Sequence, residues 1–387
     1  MLFDKNSSDK NDSATLDSFC LTGKWLTDEA RSQIIKNAED ALSVPVPHIT
    51  DAAAPHCPGT IHDYYSNGDY WWPNPDTADG LPYIRRDGET NPGNFNEHRL
   101  ILRRMRTNSA MLAAAYRLTK EERFAAQAVR ILKEFFLDED TLMNPHLSYA
   151  QAIPGICDGR GIGIIDTLHL IDVPFAIEAL KPSVHMTPEI YEGLKNWFAR
   201  YLGWMLTDPN GVAEMNEKNN HSVCFFVQAA VFSLFTDNPK IADFCRDNYK
   251  HFLLPQMAAD GSFPLELART KPYNYSIFVL DNMVTLCYLL STGEDNLWDY
   301  ALPNGSGIRN ALDFLTPYLL DKASWPYQRD VMHFDAFPAR ASFMVFAGCA
   351  LGRQELLRLF QSLPMESDDE EARRNIAVRV PYLWMGD

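Results

Sequence analysis

The stretch "NEHRLILRRMRTNSAMLAAAYRLT" (96–119), followed without a break by "KEERFAAQAVRILKEFFLD" (120–138), carries apolar residues at spacings of three and four. That period is the mark of amphipathic helices, and the absence of a linker predicts that the two fold back on each other as an antiparallel hairpin. Working outward, "TDEARSQIIKNAEDALS" (27–43) opens on a threonine cap with acids in its first turn. Further helical patterns run at roughly 164–180, 188–206, 221–235, 239–255, 276–292, 308–320 and 338–361. Strand-like alternation is scarce, and "NIAVRVPYLW" (375–384) is its best candidate. Helices paired by short turns, with long polar loops between the pairs, predict an all-α fold. The expected architecture is an α/α toroid, an incomplete α/α barrel of antiparallel helical hairpins whose long loops gather at one rim. Residues 1–25 read as a flexible N-terminal segment and 26–387 as one toroidal catalytic domain, since toroids of this length routinely form a single domain.

The composition narrows the function classes. Of 387 residues 46% are hydrophobic, enough for a large core, yet no apolar run approaches the ~20 residues that cross a bilayer. The formal net charge of −16 opposes an encounter with nucleic acid or an anionic membrane, so neither is expected as a partner. Six arginines between Tyr83 and Arg106 (Arg85, Arg86, Arg99, Arg103, Arg104, Arg106) are set against this, as a local basic surface or as an ordinary solvated helix face. The start of the chain lacks a basic segment followed by an apolar one, so it reads as cytoplasmic, or as periplasmic or secreted if a leader has been trimmed away. Seven scattered cysteines without a CxxC spacing argue against a disulfide framework and a zinc knuckle. No motif calls for a metal or a cofactor: the glycines of "GRGIG" (159–163) follow no strand and do not match the dinucleotide fingerprint.

"HDYYSNGDYWWPNPDTADGLPYIRRDG" (62–88) is too rich in proline, glycine and aromatic residues for a helix. A loop of this length belongs at the surface and tends to be functional. Tyr70, Trp71 and Trp72 offer apolar plates suited to sugar faces, or else plug the core. Arg85 and Arg86 offer planar forks for carboxylates. The expected ligand is therefore an acidic carbohydrate, with Tyr149, Gln151, Arg160 and Asp166 either lining a cleft or forming a structural turn.

Two segments carry residues fit for proton transfer. In "NEKNNHSVCFFVQAAVFSLF" (216–235), Asn219 or Asn220 can cap a helix and put His221 in its first turn, either as a capping or packing residue or as a neutral base, since the helix dipole disfavours the imidazolium. In "LELARTKPYNYS" (265–276), Pro272 predicts that Arg269 to Tyr275 is a loop leading into a helix that starts near Tyr275. A guanidinium beside a tyrosine lowers the cost of forming phenolate, which otherwise needs a pH near ~10; the alternative is a tyrosine packed at the helix start with Arg269 paired to Glu266.

Together "YWWPNPDTADGLPYIRRDGETNP", "GRGIGIID", "NNHS" and "LELARTKPYNYS", in this order over roughly residues 60–290, resemble the alginate lyase superfamily of polysaccharide lyases. The resemblance is greatest to polysaccharide lyase family 38, which acts on alginate and glucuronan, with family 5 more distant. It implies cleavage of a 4-linked uronic acid polymer by β-elimination, with Asn220, His221, Arg269 and Tyr275 as catalytic residues. Tyr273, two positions before Tyr275, competes for the same role. Tyr273 and Glu266 join Tyr70, Trp71, Trp72, Arg85, Arg86, Tyr149, Gln151 and Arg160 as expected substrate contacts. The competing readings are a glycoside hydrolase, which needs two carboxylates from among Asp158, Asp166 and Glu266, and an acidic-glycan-binding protein without catalysis.

Overall fold

The computed structural model describes residues 26–385; the segment 1–25, read above as flexible, lies outside them. The described chain divides into two compact units, Ser32–Asn216 and the remainder.

The first unit holds most of α1 (Asp28–Leu42), the strands β1 (Tyr65–Asn67), β2 (Trp71–Trp72) and β3 (Ile84–Arg85), then α2 (Glu97–Thr119) and α3 (Glu122–Phe136). Strand β4 (Tyr149–Ala152) follows, then a 3-10 segment (Gly161–Ile171), α4 (Asp172–Leu180), α5 (Pro188–Thr207) and α6 (Pro209–Met215). The Thr27 hydroxyl accepts from the Ala30 amide at 3.2 Å, the cap expected for α1. Helices α2 and α3 form the hairpin read from the sequence, turning at Lys120 in a left-handed conformation (φ 60°). Their apolar stripes bury Leu112, Ala113, Phe124, Phe135 and Phe136, and α5 adds Trp197 edge-on to Phe136 at 4.6 Å. Four short strands were not legible as strands. β1 pairs in parallel with β4 from more than eighty residues away, and β2 pairs antiparallel with β3, so that Trp71 sits opposite Arg85 and Trp72 opposite Ile84.

The second unit contains α7 (Asn220–Phe235), α8 (Pro239–Asn248), α9 (Pro264–Leu267), α10 (Pro272–Leu290), α11 (Ile308–Leu320), α12 (Phe343–Leu351), α13 (Gln354–Ser362), α14 (Glu370–Asn375) and α15 (Pro381–Trp384). Helices α7 and α10 are buried over nearly their whole length, with only a few polar residues among the apolar ones, as expected of helices enclosed by others, and they pack on each other. Three expectations change here. The single helix read at 338–361 is two, broken at Gly352, whose φ of 67° suits a residue without Cβ. The alternating "NIAVRVPYLW" segment is no strand: Ile376, Ala377, Val378 and Val380 are buried, but by packing, and the chain then turns into α15. Helix α10 starts at Pro272, earlier than Tyr275, because proline is well suited to the first helical position, where no amide hydrogen is needed. Among the described residues no helix is long and apolar enough to cross a membrane.

Candidate active site

Helix α7 is capped by Asn219, whose Oδ1 accepts from the His221 amide at 3.0 Å. That choice between two asparagines frees Asn220 for another task. Its backbone N and its Nδ2 both donate to the Glu266 carboxylate, each at 2.7 Å, and both residues are buried. His221, one residue on, is half-buried.

Glu266 lies on the short helix α9, three residues before Arg269. Burial pushes its carboxyl above the ordinary value. The two hydrogen bonds from Asn220 oppose that shift, followed by the charges of Arg269 and His221. Glu266 was expected to touch substrate; at 1% exposure it instead holds Asn220 and ties α7 to the segment entering α10. Arg269 lies over the ring of Tyr275 with its guanidinium carbon 4.7 Å from the centroid, and Nη2 donates to the phenol oxygen at 3.4 Å. Asn220, His221 and Arg269, drawn from two segments about fifty residues apart, therefore lie near Glu266 within one unit, with Tyr275 against Arg269.

The two tyrosines separate cleanly. Tyr273 has no exposed surface; its hydroxyl donates to the Tyr318 carbonyl at 3.0 Å and Trp325 packs against its ring at 5.0 Å. Burial raises its phenol well above the ordinary value. The expectation that it contacts substrate is not met, because its hydroxyl is committed to the core. Tyr275 is half-buried.

The remaining candidates lie in the unit Ser32–Asn216. Tyr70, Trp71 and Trp72 are half-buried, whereas Arg85 and Arg86 are exposed. The Arg86 guanidinium stacks 4.8 Å over Trp72, whose Nε1 donates to the Glu89 carbonyl at 3.0 Å, and Arg160 lies 5.8 Å over Trp71. Burial lowers the Arg160 guanidinium from its ordinary value, and the charge of Arg85 acts in the same direction. A Cβ on Gly68 would come within 2.7 Å of both Arg160 Nη2 and Trp71 Cδ1, so glycine is what lets this pair approach. Gln151, expected as a sugar contact, is bound within the protein. It holds a left-handed backbone (φ 51°) fixed by bonds to Ser66 and Arg160, and its side-chain amide is bound to Arg160 at 2.9 Å and Asp166 at 3.3 Å. Tyr149 is half-buried, its ring edge-on to His146.

The basic surface read from the arginines is smaller than expected. Arg99 and Arg106 are buried, the first paired with Asp69 (2.5 Å) and Asp166 (3.0 Å), the second with Asp172 (3.1 Å). Asp166 also accepts from Ser66 and Tyr64. Two of the three carboxylates available to a hydrolase, Asp166 and Glu266, are thus already committed to protein donors. The residues missed from the sequence are Asp330 and Gln328. They act on the backbone of Arg269–Asn274 from more than fifty positions away, and no local pattern signals that.

The family model for alginate lyase matches residues 48–325. A crystal structure of an alginate lyase from Bacteroides ovatus is 32% identical, with a TM-score of 0.83 over 96% of this chain and 97% of that one. The chain belongs to the alginate lyase family, and it is a polysaccharide lyase. Its fold class is the all-α, α/α-toroid class expected from the helix pattern. Alginate lyase A1-III from Sphingomonas species A1 shares that fold at 16% identity, with a TM-score of 0.55 over 92% of this chain and 95% of that one. A histidine-to-alanine variant of A1-III, complexed with a tetrasaccharide, is 15% identical, at a TM-score of 0.57 over 87% of this chain and 90% of that one. No curated protein sequence matches the chain.

Proposed function

We propose that this lyase cleaves 4-linked uronate polymers, alginate and its mannuronate-rich stretches first among them and glucuronan next, by β-elimination at the Asn220, His221, Arg269 and Tyr275 cluster. The observation that carries the reading is the double hold of Glu266 on Asn220 beside an Arg269–Tyr275 pair. A uronate C5 proton is hard to remove because the electrons it leaves flow toward an existing carboxylate. Asn220 has a second Nδ2 hydrogen beyond the one bonded to Glu266, and Arg269 has five N–H donors. These groups bind the sugar carboxylate and stabilise the added charge as C5 is deprotonated, in the manner of an oxyanion hole.

His221 or Tyr275 takes the C5 proton, according to which ring face presents it. The electron pair of the C5–H bond becomes the C4=C5 double bond, the C4–O4 bond breaks, and the Tyr275 hydroxyl delivers a proton to O4. Arg269 faces the oxygen that loses and regains that proton. Within the unit Ser32–Asn216, the rings and guanidiniums of Trp71, Trp72, Arg86 and Arg160 suit uronate residues. The reading treats residues 26–387 as one catalytic domain.

The test is a screen of the purified protein on polymannuronate, polyguluronate and glucuronan, followed by the ultraviolet absorbance of the unsaturated uronate. New absorbance on at least one polymer is expected. New reducing ends without absorbance indicate hydrolysis, and binding without any product indicates a lectin-like role; either result overturns the reading.

A further inference from the structure

The start of helix α10 is capped in an unusual way. The first turn of any helix leaves backbone amides without intrahelical acceptors. Here Pro272 has no amide hydrogen, and the Tyr275 amide reaches the Lys271 carbonyl at 3.0 Å. The two between them, of Tyr273 and Asn274, need acceptors, and Lys271 at the cap position has a side chain that can only donate. Asp330 supplies both: one carboxylate oxygen accepts from Tyr273 N at 2.8 Å and the other from Asn274 N at 3.0 Å, with the residue 5% exposed.

The same short segment grips the chain just upstream. Gln328 Nε2 donates to the Arg269 carbonyl at 3.1 Å, and Val331 N donates to the Thr270 carbonyl at 3.1 Å. The segment is itself fixed by Trp325, whose Nε1 donates to the Gln328 carbonyl at 3.1 Å while its ring packs on Tyr273. Four backbone groups between Arg269 and Asn274 are therefore held by residues 328–331. Arg269 and Tyr275 bracket that stretch.

We propose that Asp330 is a positioning residue for the elimination, setting the first turn of α10 and with it the approach of the Tyr275 hydroxyl to the leaving oxygen. The inference rests on the β-elimination reading above. Asp330 accepts from the Tyr273 and Asn274 amides and is not among the groups assigned to the sugar. Its loss therefore disturbs the proton-transfer geometry without removing a substrate contact. A reacting group displaced by about 1 Å loses on the order of 10²-fold in rate.

The experiment compares kcat and KM on the best polymer for the wild type, Asp330→Ala, Asp330→Asn and Tyr275→Phe. Asp330→Ala removes both acceptors; kcat is expected to fall at least ~10-fold with KM within about 2-fold of wild type. Asp330→Asn keeps one acceptor and turns an amino group toward the other N–H. Its kcat is expected between those of the wild type and Asp330→Ala, about 3- to 10-fold down with KM held. Should Asp330→Ala not fold, Asp330→Asn carries the test by the same criterion. A kcat within about 2-fold of wild type in the variant tested, or a KM that rises as much as kcat falls, overturns the positioning role. Tyr275→Phe separates the two claims: wild-type turnover in that variant sinks the elimination reading itself, whereas an inactive Tyr275→Phe beside a fully active Asp330 variant sinks only the inference about Asp330.

Discussion

Replacing Glu266 by glutamine keeps the shape of the side chain and converts one of its two acceptor atoms into a donor. Both oxygens are in use, accepting from Asn220 N and Nδ2 at 2.7 Å each. If the glutamine oxygen keeps the backbone amide, its amino group confronts Asn220 Nδ2 and the carboxamide has to rotate. A buried donor left without an acceptor costs about 1–3 kcal/mol. Replacing a buried acid by a neutral amide relieves part of its desolvation cost, so the two effects oppose and stability at neutral pH should change by less than about 2 kcal/mol. Turnover has no such compensation, because Asn220 is lost from the place proposed for it against the sugar carboxylate, and a drop of about 10²-fold is expected.

The pH dependence of stability gives an independent handle on the same residue. Burial raises the Glu266 carboxyl above its ordinary value. A carboxyl raised by folding contributes stability that is fully present below the unfolded value and is lost as pH rises through the folded one. The wild type should lose stability across that window, and Glu266→Gln should flatten the loss. The assays are initial rates by ultraviolet absorbance and urea midpoints measured across mildly acid to neutral pH. Wild-type turnover in Glu266→Gln, or an unchanged pH slope, would refute the role assigned to this carboxylate.

Other expectations can be checked with the same substrates. His221→Ala should lower kcat at least ~10²-fold, the usual contribution of a placed acid or base, with the circular dichroism spectrum unchanged. Trp72→Ala and Arg86→Ala break a stacked pair and should raise KM more than they lower kcat in steady-state kinetics. Asp166→Asn weakens one of the two carboxylate partners of the buried Arg99, which keeps Asp69, and should cost about 1–3 kcal/mol in chemical denaturation.

What could be read from the sequence was what short-range physics decides. The α2–α3 hairpin followed from apolar spacing, the start of α1 from the Thr27 cap, and the position of Asn220 and His221 from a capping asparagine just before an apolar run. Features that depend on distant partners were hidden. Strand β1 is three residues long and finds β4 only through the tertiary fold, and the alternation at 375–384 reflects burial without a neighbouring strand. Arg99 looked like surface charge because Asp69 and Asp166 lie 30 and 67 positions away. Glu266 read as a sugar contact because the backbone amide and carboxamide that saturate it come from a helix 46 residues earlier. Tyr273 and Tyr275 could not be told apart until the start of α10 and the core around Trp325 were known.

The most direct measurement is a crystal structure of the Tyr275→Phe variant with a bound uronate oligosaccharide. One sugar carboxylate should lie within hydrogen-bond reach, about 2.6–3.2 Å, of Asn220 Nδ2 and the Arg269 guanidinium, with His221 or the ring of residue 275 facing its C5 hydrogen. An oligosaccharide held elsewhere, with Asn220 and Arg269 contacting no carboxylate, would contradict the account.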